Sequence, residues 1–173
     1  MIGWLAFIAY AACVPLANWM IQNIGSCVPN GPCLVPVGFG FMAPSGVLLV
    51  GAALVLRDVV HNYMGTRAAL IAVGVGTLLA AVFAPPMLVV ASASAFLLSE
   101  LADLSIYAPL RKRSLTKAVL ASGFLGAVVD SAVFLWVAFG SLAYIEGQIL
   151  GKLWMSAGAV IVMVIYRKAL EGK

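Results

Sequence analysis

Charged residues are scarce in this chain. They make up 9% of its 173 residues, whereas hydrophobic residues make up 64%. A soluble domain of this size needs much more polar surface, so the composition excludes a soluble protein. A membrane-spanning helix takes about 20 apolar residues, and the chain has room for six of them with short loops. We therefore expect an all-α membrane protein with six transmembrane helices in a single domain, residues 1–173.

Histidine and cysteine are also rare, with one histidine and three cysteines in the chain. The sequence has no paired-histidine metal motif, no Gly-x-Ser-x-Gly segment and no phosphate-cradling glycine loop. We therefore expect no enzyme activity, no bound metal and no cofactor. Cys27 and Cys33 bracket a segment that is expected to face outward, where either a disulfide or two free thiols would be compatible with the sequence.

Positive charge exceeds negative charge, and the formal net charge is +4 at pH 7. Its distribution argues against nucleic-acid binding, because every basic residue except Lys152 clusters at helix ends that would share one side of the membrane. This pattern is typical of a cytoplasmic face. We expect a multi-pass inner-membrane protein with both termini in the cytoplasm. The clustered residues are Arg57, Arg67, Arg111, Lys112, Arg113, Lys117, Arg167, Lys168 and Lys173.

The apolar runs predict six helices, and the first is interpreted as a retained helix because no basic region precedes it. The segment 22–37 is rich in Pro, Gly, Asn and Ser, and it predicts a loop without regular structure. Pro44, Ser45 and Gly46 predict a kink or unwound turn in the second helix. The predicted helices span about 2–22, 38–56, 68–84, 87–109, 114–139 and 148–165.

Acidic residues within two of these helices are the main functional signal. Glu100, Asp103 and Tyr107 are spaced i, i+3 and i+7, so they project from one face of the fourth helix. Asp130 falls well inside the fifth helix. Ionisable groups in hydrocarbon are costly, and by default they mark a functional site. Two deep carboxylates on adjacent helices predict a polar chamber between the helices.

Other polar and aromatic residues are candidates for the same chamber. Asn18 would line it or lie at the membrane interface, and Ser99 is a second-rank polar contact. Asp58 shares a face with His61 if the second helix continues, although a hydrated helix end with an Arg–Asp pair is the alternative. Trp154 is a candidate aromatic wall. Carboxylates and aromatic walls suit a ligand such as a guanine-like ring, which presents adjacent N–H groups on one edge.

Lys152 lies in the outer half of the sixth helix and has two interpretations. It would neutralise a carboxylate of the chamber, or it would extend its ammonium outward to the membrane surface. The second interpretation is favoured from the sequence.

Three segments resemble signatures of one family. They are Asp-Val-Val-His-Asn-Tyr-Met-Gly-Thr-Arg (58–67), Ser-Glu-Leu-Ala-Asp-Leu-Ser-Ile-Tyr (99–107) and Val-Asp-Ser-Ala-Val-Phe (129–134). The chain thereby resembles the queuosine-precursor transporter family, also called the vitamin-uptake-transporter-like or YhhQ family. The similarity spans roughly the second to the fifth helix. His61 stands where many members carry a Glu.

The resemblance implies an inner-membrane importer of 7-cyano-7-deazaguanine and 7-aminomethyl-7-deazaguanine. It also implies a fold similar to the substrate-binding components of energy-coupling-factor transporters. Two alternatives remain open. One is a component that binds a different vitamin and docks on an energising module. The other is a non-transporting structural subunit. A homo-oligomer is compatible with either, and the lipid bilayer is the other expected partner.

Overall fold

Six α-helices and a small β-sheet make up the described chain. The computed structural model describes the backbone of residues 2–111, 113 and 115–171, together with their side chains except at positions 83, 100, 103, 104, 107, 108, 111, 115–120, 122 and 159–171. The helices are α1 Ile2–Asn23, α2 Val47–Met64, α3 Thr66–Phe83, α4 Pro86–Arg111, α5 Leu115–Phe139 and α6 Ile145–Glu171.

Each predicted apolar run forms a helix, and most ends fall within three residues of the prediction. The second helix differs most, because it begins at Val47 rather than near residue 38 and continues to Met64. The sixth is longer than predicted at both ends, since it includes the segment that begins at Ile145 and continues past residue 165. Apolar runs therefore predict where helices form. A helix can continue beyond its apolar run into polar residues, as α2 does after Leu56.

The prediction of an irregular segment after α1 is wrong. A three-stranded antiparallel sheet begins in this segment and continues into residues predicted as the start of the second helix, in the order β1 Ser26–Cys27, β2 Cys33–Gly38 and β3 Phe41–Pro44. Cys27 and Cys33 face each other across β1 and β2, and they form a disulfide. The strands are short and separated by tight turns with positive φ angles, which is why turn residues dominate the sequence signal.

The predicted kink in α2 is also placed differently. Pro44 ends β3, and Ser45 with Gly46 forms the turn that precedes the helix. The Ser45 hydroxyl donates a 2.6 Å hydrogen bond to the carbonyl of Met20, near the end of α1. A Cβ on Gly46 would lie 2.5 Å from the carbonyl oxygen of Ala17. The turn therefore fastens the start of α2 tightly against α1.

The ends of the helices lie at two opposite ends of the bundle, one beside the sheet and one away from it. At the sheet end, a buried cluster joins α1, α4 and α5 through Ile21, Leu88, Ala91, Phe134 and others, with Ile145 of α6 packed against it. At the opposite end, Gly3 of α1 lies against the side chain of Met64 at the end of α2. The helices thus alternate in direction, as short connections between neighbouring helices require.

Small residues let α6 approach its neighbours closely at the sheet end. A Cβ on Gly147 would lie 2.0 Å from the backbone oxygen of Met42 in β3, and one on Gly151 would lie 2.8 Å from the side chain of Val47. From the other side, a Cβ on Gly51 of α2 would lie 2.8 Å from Met155. Close backbone approach at small residues is a common mode of helix packing in membranes.

Two of the helices in the described chain, α1 and α2, combine the length and hydropathy needed to cross a membrane. Shorter apolar stretches occur at Thr66–Val82, Pro86–Ser99 and Gly123–Phe139, in α3, α4 and α5. Exposed leucines and isoleucines along α3, such as Leu70, Ile71 and Leu78, would be unfavourable in water. The apolar helices agree with a membrane protein, and the number of spans stays a prediction.

We predict that Gly147→Ala destabilises the fold, because the added methyl group has no space beside the backbone of Met42. Gly74→Ala is the matched control, since a Cβ at this position in α3 meets nothing within 4 Å. Replacing glycine by alanine inside a helix stabilises it by about 0.5–1 kcal/mol where space allows. Thermal unfolding in detergent should show a lower Tm for the first variant and an equal or higher Tm for the second. Equal shifts in the two would contradict the close approach.

Candidate functional site

A cavity lies among the six helices, in the half of the bundle nearer the sheet. All six helices contribute to its wall, which is mostly aliphatic and aromatic. The cavity is partly open and offers about 80 Å³ of space to the centres of water-sized molecules. At about 10–15 Å³ per water on this measure, that is room for several waters or one small heterocycle. Its polar lining residues are Tyr10, Asn18, Thr77, Ser92, Asp130, Gln148 and Lys152.

An ion pair between α5 and α6 forms part of the wall. Lys152 is 2% exposed, and its ammonium donates to Asp130 Oδ2 and, at 2.8 Å, to Ser131 Oγ. The Ser131 hydroxyl in turn donates a 2.7 Å bond to the carbonyl of Ala127. An isolated charge would be costly to bury here. Lys152 and Asp130 neutralise each other, and Ser131 accepts a further hydrogen bond from the ammonium.

Two amide side chains in the wall have unsatisfied polar atoms. Asn18 and Gln148 are 3% and 2% exposed. Within the described residues, Asn18 Nδ2 and Gln148 Oε1 are buried and have no hydrogen-bond partner. An unmade hydrogen bond on a buried group costs about 1–3 kcal/mol. One atom is a donor and the other an acceptor, so the wall offers both to whatever enters the cavity.

The helix geometry of α6 explains how two of these groups reach the cavity. Gln148 and Lys152 are spaced i, i+4 and lie one above the other on one face. The preceding residues, Gly147 and Gly151, have the same spacing and pack against β3 and α2. Because the glycine face is held against these neighbours, the adjacent face is directed to the cavity.

Aromatic rings form the remaining distinctive surface. Phe96 of α4 and Phe134 of α5 both line the cavity. The guanidinium of Arg57 lies 5.8 Å from the centroid of the Phe96 ring, within the range of a cation–π contact. Phe134 is held edge-to-face against Phe139 at 5.9 Å between centroids. These fixed rings give the cavity flat apolar walls.

Of the predicted site residues, the structure brings Asp130 and Asn18 together in the cavity wall. Ser99 is buried, but its hydroxyl donates to the carbonyl of Phe96 in its own helix at 2.9 Å, and it does not line the cavity. Asp58 has a 68% exposed side chain and pairs with Arg57 at 2.7 Å. This position matches the hydrated helix end that the sequence left as an alternative.

Trp154 also lies outside the cavity wall. Its indole N–H donates a 2.9 Å bond to the carbonyl of Val37 in β2, and its ring stacks on Phe39 at 6.3 Å between centroids. Trp154 therefore connects α6 to the sheet, and about half of its surface is exposed. The side chains of Glu100, Asp103 and Tyr107 lie outside the described residues, and their predicted roles stay predictions.

The interpretation of Lys152 as an outward-extending residue is wrong. The side chain turns into the bundle because Asp130 and Ser131 lie across from it on α5. Gln148 is not among the predicted site residues. The spacing Gly147-x-x-x-Gly151 beside Gln148-x-x-x-Lys152 carries the missing signal, since it marks a closely packed face next to a polar face.

Comparison with known proteins identifies the family. Residues 79–167, slightly more than half of the chain, match the model of a family described as "Putative vitamin uptake transporter". The chain belongs to this vitamin uptake transporter family. The matched segment contains Asp130, Ser131, Gln148 and Lys152, so the ion pair lies within the part of the chain that the family shares. The comparisons with curated proteins and with solved structures gave no match.

Membership of the vitamin uptake transporter family confirms the resemblance seen in the sequence. Together with the apolar helices, it identifies a membrane protein that transports a small molecule. The cavity within the helix bundle has the position that small-molecule sites take in such folds, since sites between helices are common. It is the candidate binding site of this transporter.

We predict that Lys152→Met strongly destabilises the protein, because Asp130 is left as a buried charge without its partner. Removing one member of a buried ion pair costs about 3–5 kcal/mol. The double variant Asp130→Asn/Lys152→Met should recover most of the loss, since neither charge remains. Thermal unfolding of the three proteins in detergent measures both effects.

The exposed pair provides the control for this comparison. Asp58→Asn removes the partner of an ion pair at the surface and should cost about 1 kcal/mol or less. If Lys152→Met were no more destabilising than Asp58→Asn, the pair in the cavity wall would have to be hydrated rather than buried.

Proposed function

We propose that the chain is an inner-membrane importer of queuosine precursors, the bases 7-cyano-7-deazaguanine and 7-aminomethyl-7-deazaguanine. In this proposal the six helices span the membrane, both termini are cytoplasmic, and the fold is similar to the substrate-binding components of energy-coupling-factor transporters. Family membership supports transport, and the cavity supports the class of ligand.

The unsatisfied atoms of Asn18 and Gln148 are the observation that carries this proposal. A guanine-like ring presents a carbonyl acceptor beside N–H donors on one edge. Asn18 Nδ2 would donate to the carbonyl, and Gln148 Oε1 would accept from an N–H group. Binding the base would thus satisfy both atoms, whereas a purely apolar ligand would exclude water from them and leave them without hydrogen-bond partners.

The rest of the cavity suits a flat heterocycle. Phe96 and Phe134 supply surfaces on which a ring can stack, and stacking contributes about 1–3 kcal/mol per base in nucleic-acid complexes. Asp130 and Lys152 supply further hydrogen-bonding groups beside the ring. Glu100, Asp103 and Tyr107 are proposed to extend this polar surface along α4.

A different vitamin on an energising module is the competing hypothesis. Energy-coupling-factor components usually have an Ala-x-x-x-Ala patch on the first helix, and α1 has no such spacing. Copurification with an ATPase would favour this alternative. A purely structural subunit is disfavoured because a packed assembly element gains nothing from unsatisfied amides around a cavity.

We predict that the base protects Cys13 from alkylation. Cys13 lines the cavity and is the free cysteine of the chain, since Cys27 and Cys33 form a disulfide. A small maleimide should label the protein slowly, and saturating 7-cyano-7-deazaguanine should slow the labelling further, whereas riboflavin should not. The variant Cys13→Ala provides the unlabelled control. A labelling rate that does not respond to either deazaguanine base would count against the proposed ligand.

We also predict that Asn18→Leu and Gln148→Met weaken binding while stabilising the protein. Each replaces an unsatisfied buried amide by an apolar group of similar shape, so the Tm should rise, and each removes a hydrogen bond to the base, so Kd should rise about three- to tenfold. Calorimetry and thermal unfolding measure these opposite changes.

Asn23→Leu is the matched control, because this exposed amide in α1 bonds only to the carbonyl of Trp19 among the described residues. It should leave Kd unchanged. If Asn18→Leu lowered Tm without affecting Kd, its amide would be a structural group rather than a ligand contact.

A further inference from the structure

The ion pair also sets the charge of the cavity. Among the described residues that line it, Asp130 and Lys152 are the charged side chains, and they have opposite signs. They contact each other directly, so this wall is electrically neutral as a unit. Among the described residues, Arg57 lies 5.8 Å from the centroid of the Phe96 ring and pairs with Asp58 at the surface.

The Asp130 carboxylate is therefore already paired with the Lys152 ammonium through Oδ2. At this wall of the cavity, a ligand ammonium would have to replace Lys152 at Asp130, or lie near Lys152 as a second positive charge. Both are unfavourable in a buried site, where the interaction between charges is much stronger than in water. An uncharged ligand meets neither obstacle, and it can accept a hydrogen bond from the ammonium.

Lys152 has the hydrogen-bonding capacity for such a contact. An ammonium has three N–H donors, and the described residues satisfy two of them through Asp130 and Ser131. The third donor has no partner among these residues. A carbonyl oxygen or a nitrile nitrogen of a neutral ligand is a suitable acceptor for it, whereas a second ammonium is not.

We infer that Lys152 makes the cavity selective for the uncharged base over the base that bears an ammonium. This inference rests on the proposed function, and it ranks the two proposed ligands: 7-cyano-7-deazaguanine is neutral at pH 7, while 7-aminomethyl-7-deazaguanine carries a protonated aliphatic amine. Lys152 acts as a specificity-determining residue through its charge, and Asp130 holds that charge in place.

The test is the ratio of the two dissociation constants, measured by calorimetry on the purified full chain in detergent. The wild-type protein should bind the cyano base at least about tenfold more tightly than the aminomethyl base. Lys152→Arg keeps the positive charge and should retain the preference. Lys152→Met exposes the carboxylate of Asp130 to the ligand, and the ratio should shift about tenfold or more toward the aminomethyl base.

A second variant covers the case in which Lys152→Met does not fold. Asp130→Asn/Lys152→Met has no charge at either position, so the ratio should move toward one without reversing. A change in overall stability would alter both constants together, whereas selection by charge alters their ratio.

The outcomes separate this inference from the proposed function. Binding of both bases to the wild-type protein with equal affinity, or an unchanged ratio in the double variant, would leave the importer proposal standing and overturn the role of Lys152. Failure of both bases to bind the wild-type protein would overturn both.

Discussion

A buried ion pair between α5 and α6 is the interaction on which the cavity depends. Asp130 and Lys152 are both buried inside the bundle, and each would be unstable there without the other. Ser131 Oγ is a second acceptor for the ammonium, and the Ser131 hydroxyl donates a hydrogen bond to the carbonyl of Ala127. Hydrophobic residues of the same volume would pack at least as stably, so stability alone does not account for a charged pair at this position.

The close contacts of α6 place this pair beside the other polar groups. Gly147 and Gly151 hold the helix against β3 and α2, and a side chain larger than hydrogen would push it away. The same contact orients Gln148 toward the cavity, whose wall also contains Asn18 of α1. The sheet contributes from outside, because β2 accepts the hydrogen bond of Trp154 and thereby fastens α6 a second time. The packing of α6 at the sheet end therefore also determines which polar side chains line the cavity.

The helices were predictable from the sequence because apolar length is a local property. The family was predictable because the sequence contains three of its signature segments. The burial of Asp130 was predictable because a carboxylate in the middle of an apolar run is costly in hydrocarbon and faces the interior of the bundle. The direction of Lys152 was not, because a lysine near a helix end turns outward or inward according to what lies across from it. That partner is on another helix, 22 residues away in the chain. The sheet was missed because its strands have only two, six and four residues, and the Pro, Gly and Asn residues in and between them dominate the sequence pattern.

The unsatisfied amides favour a binding protein over a scaffold. In a helix bundle that serves only assembly, Asn18 and Gln148 would lower its stability without compensation, and apolar residues would replace them at no loss. A ligand in the cavity with a complementary acceptor and donor would satisfy both atoms. A neutral ion pair beside these groups adds directed hydrogen bonds without adding net charge. A wall with this combination favours a polar, uncharged and flat ligand, and it disfavours both lipids and free ions.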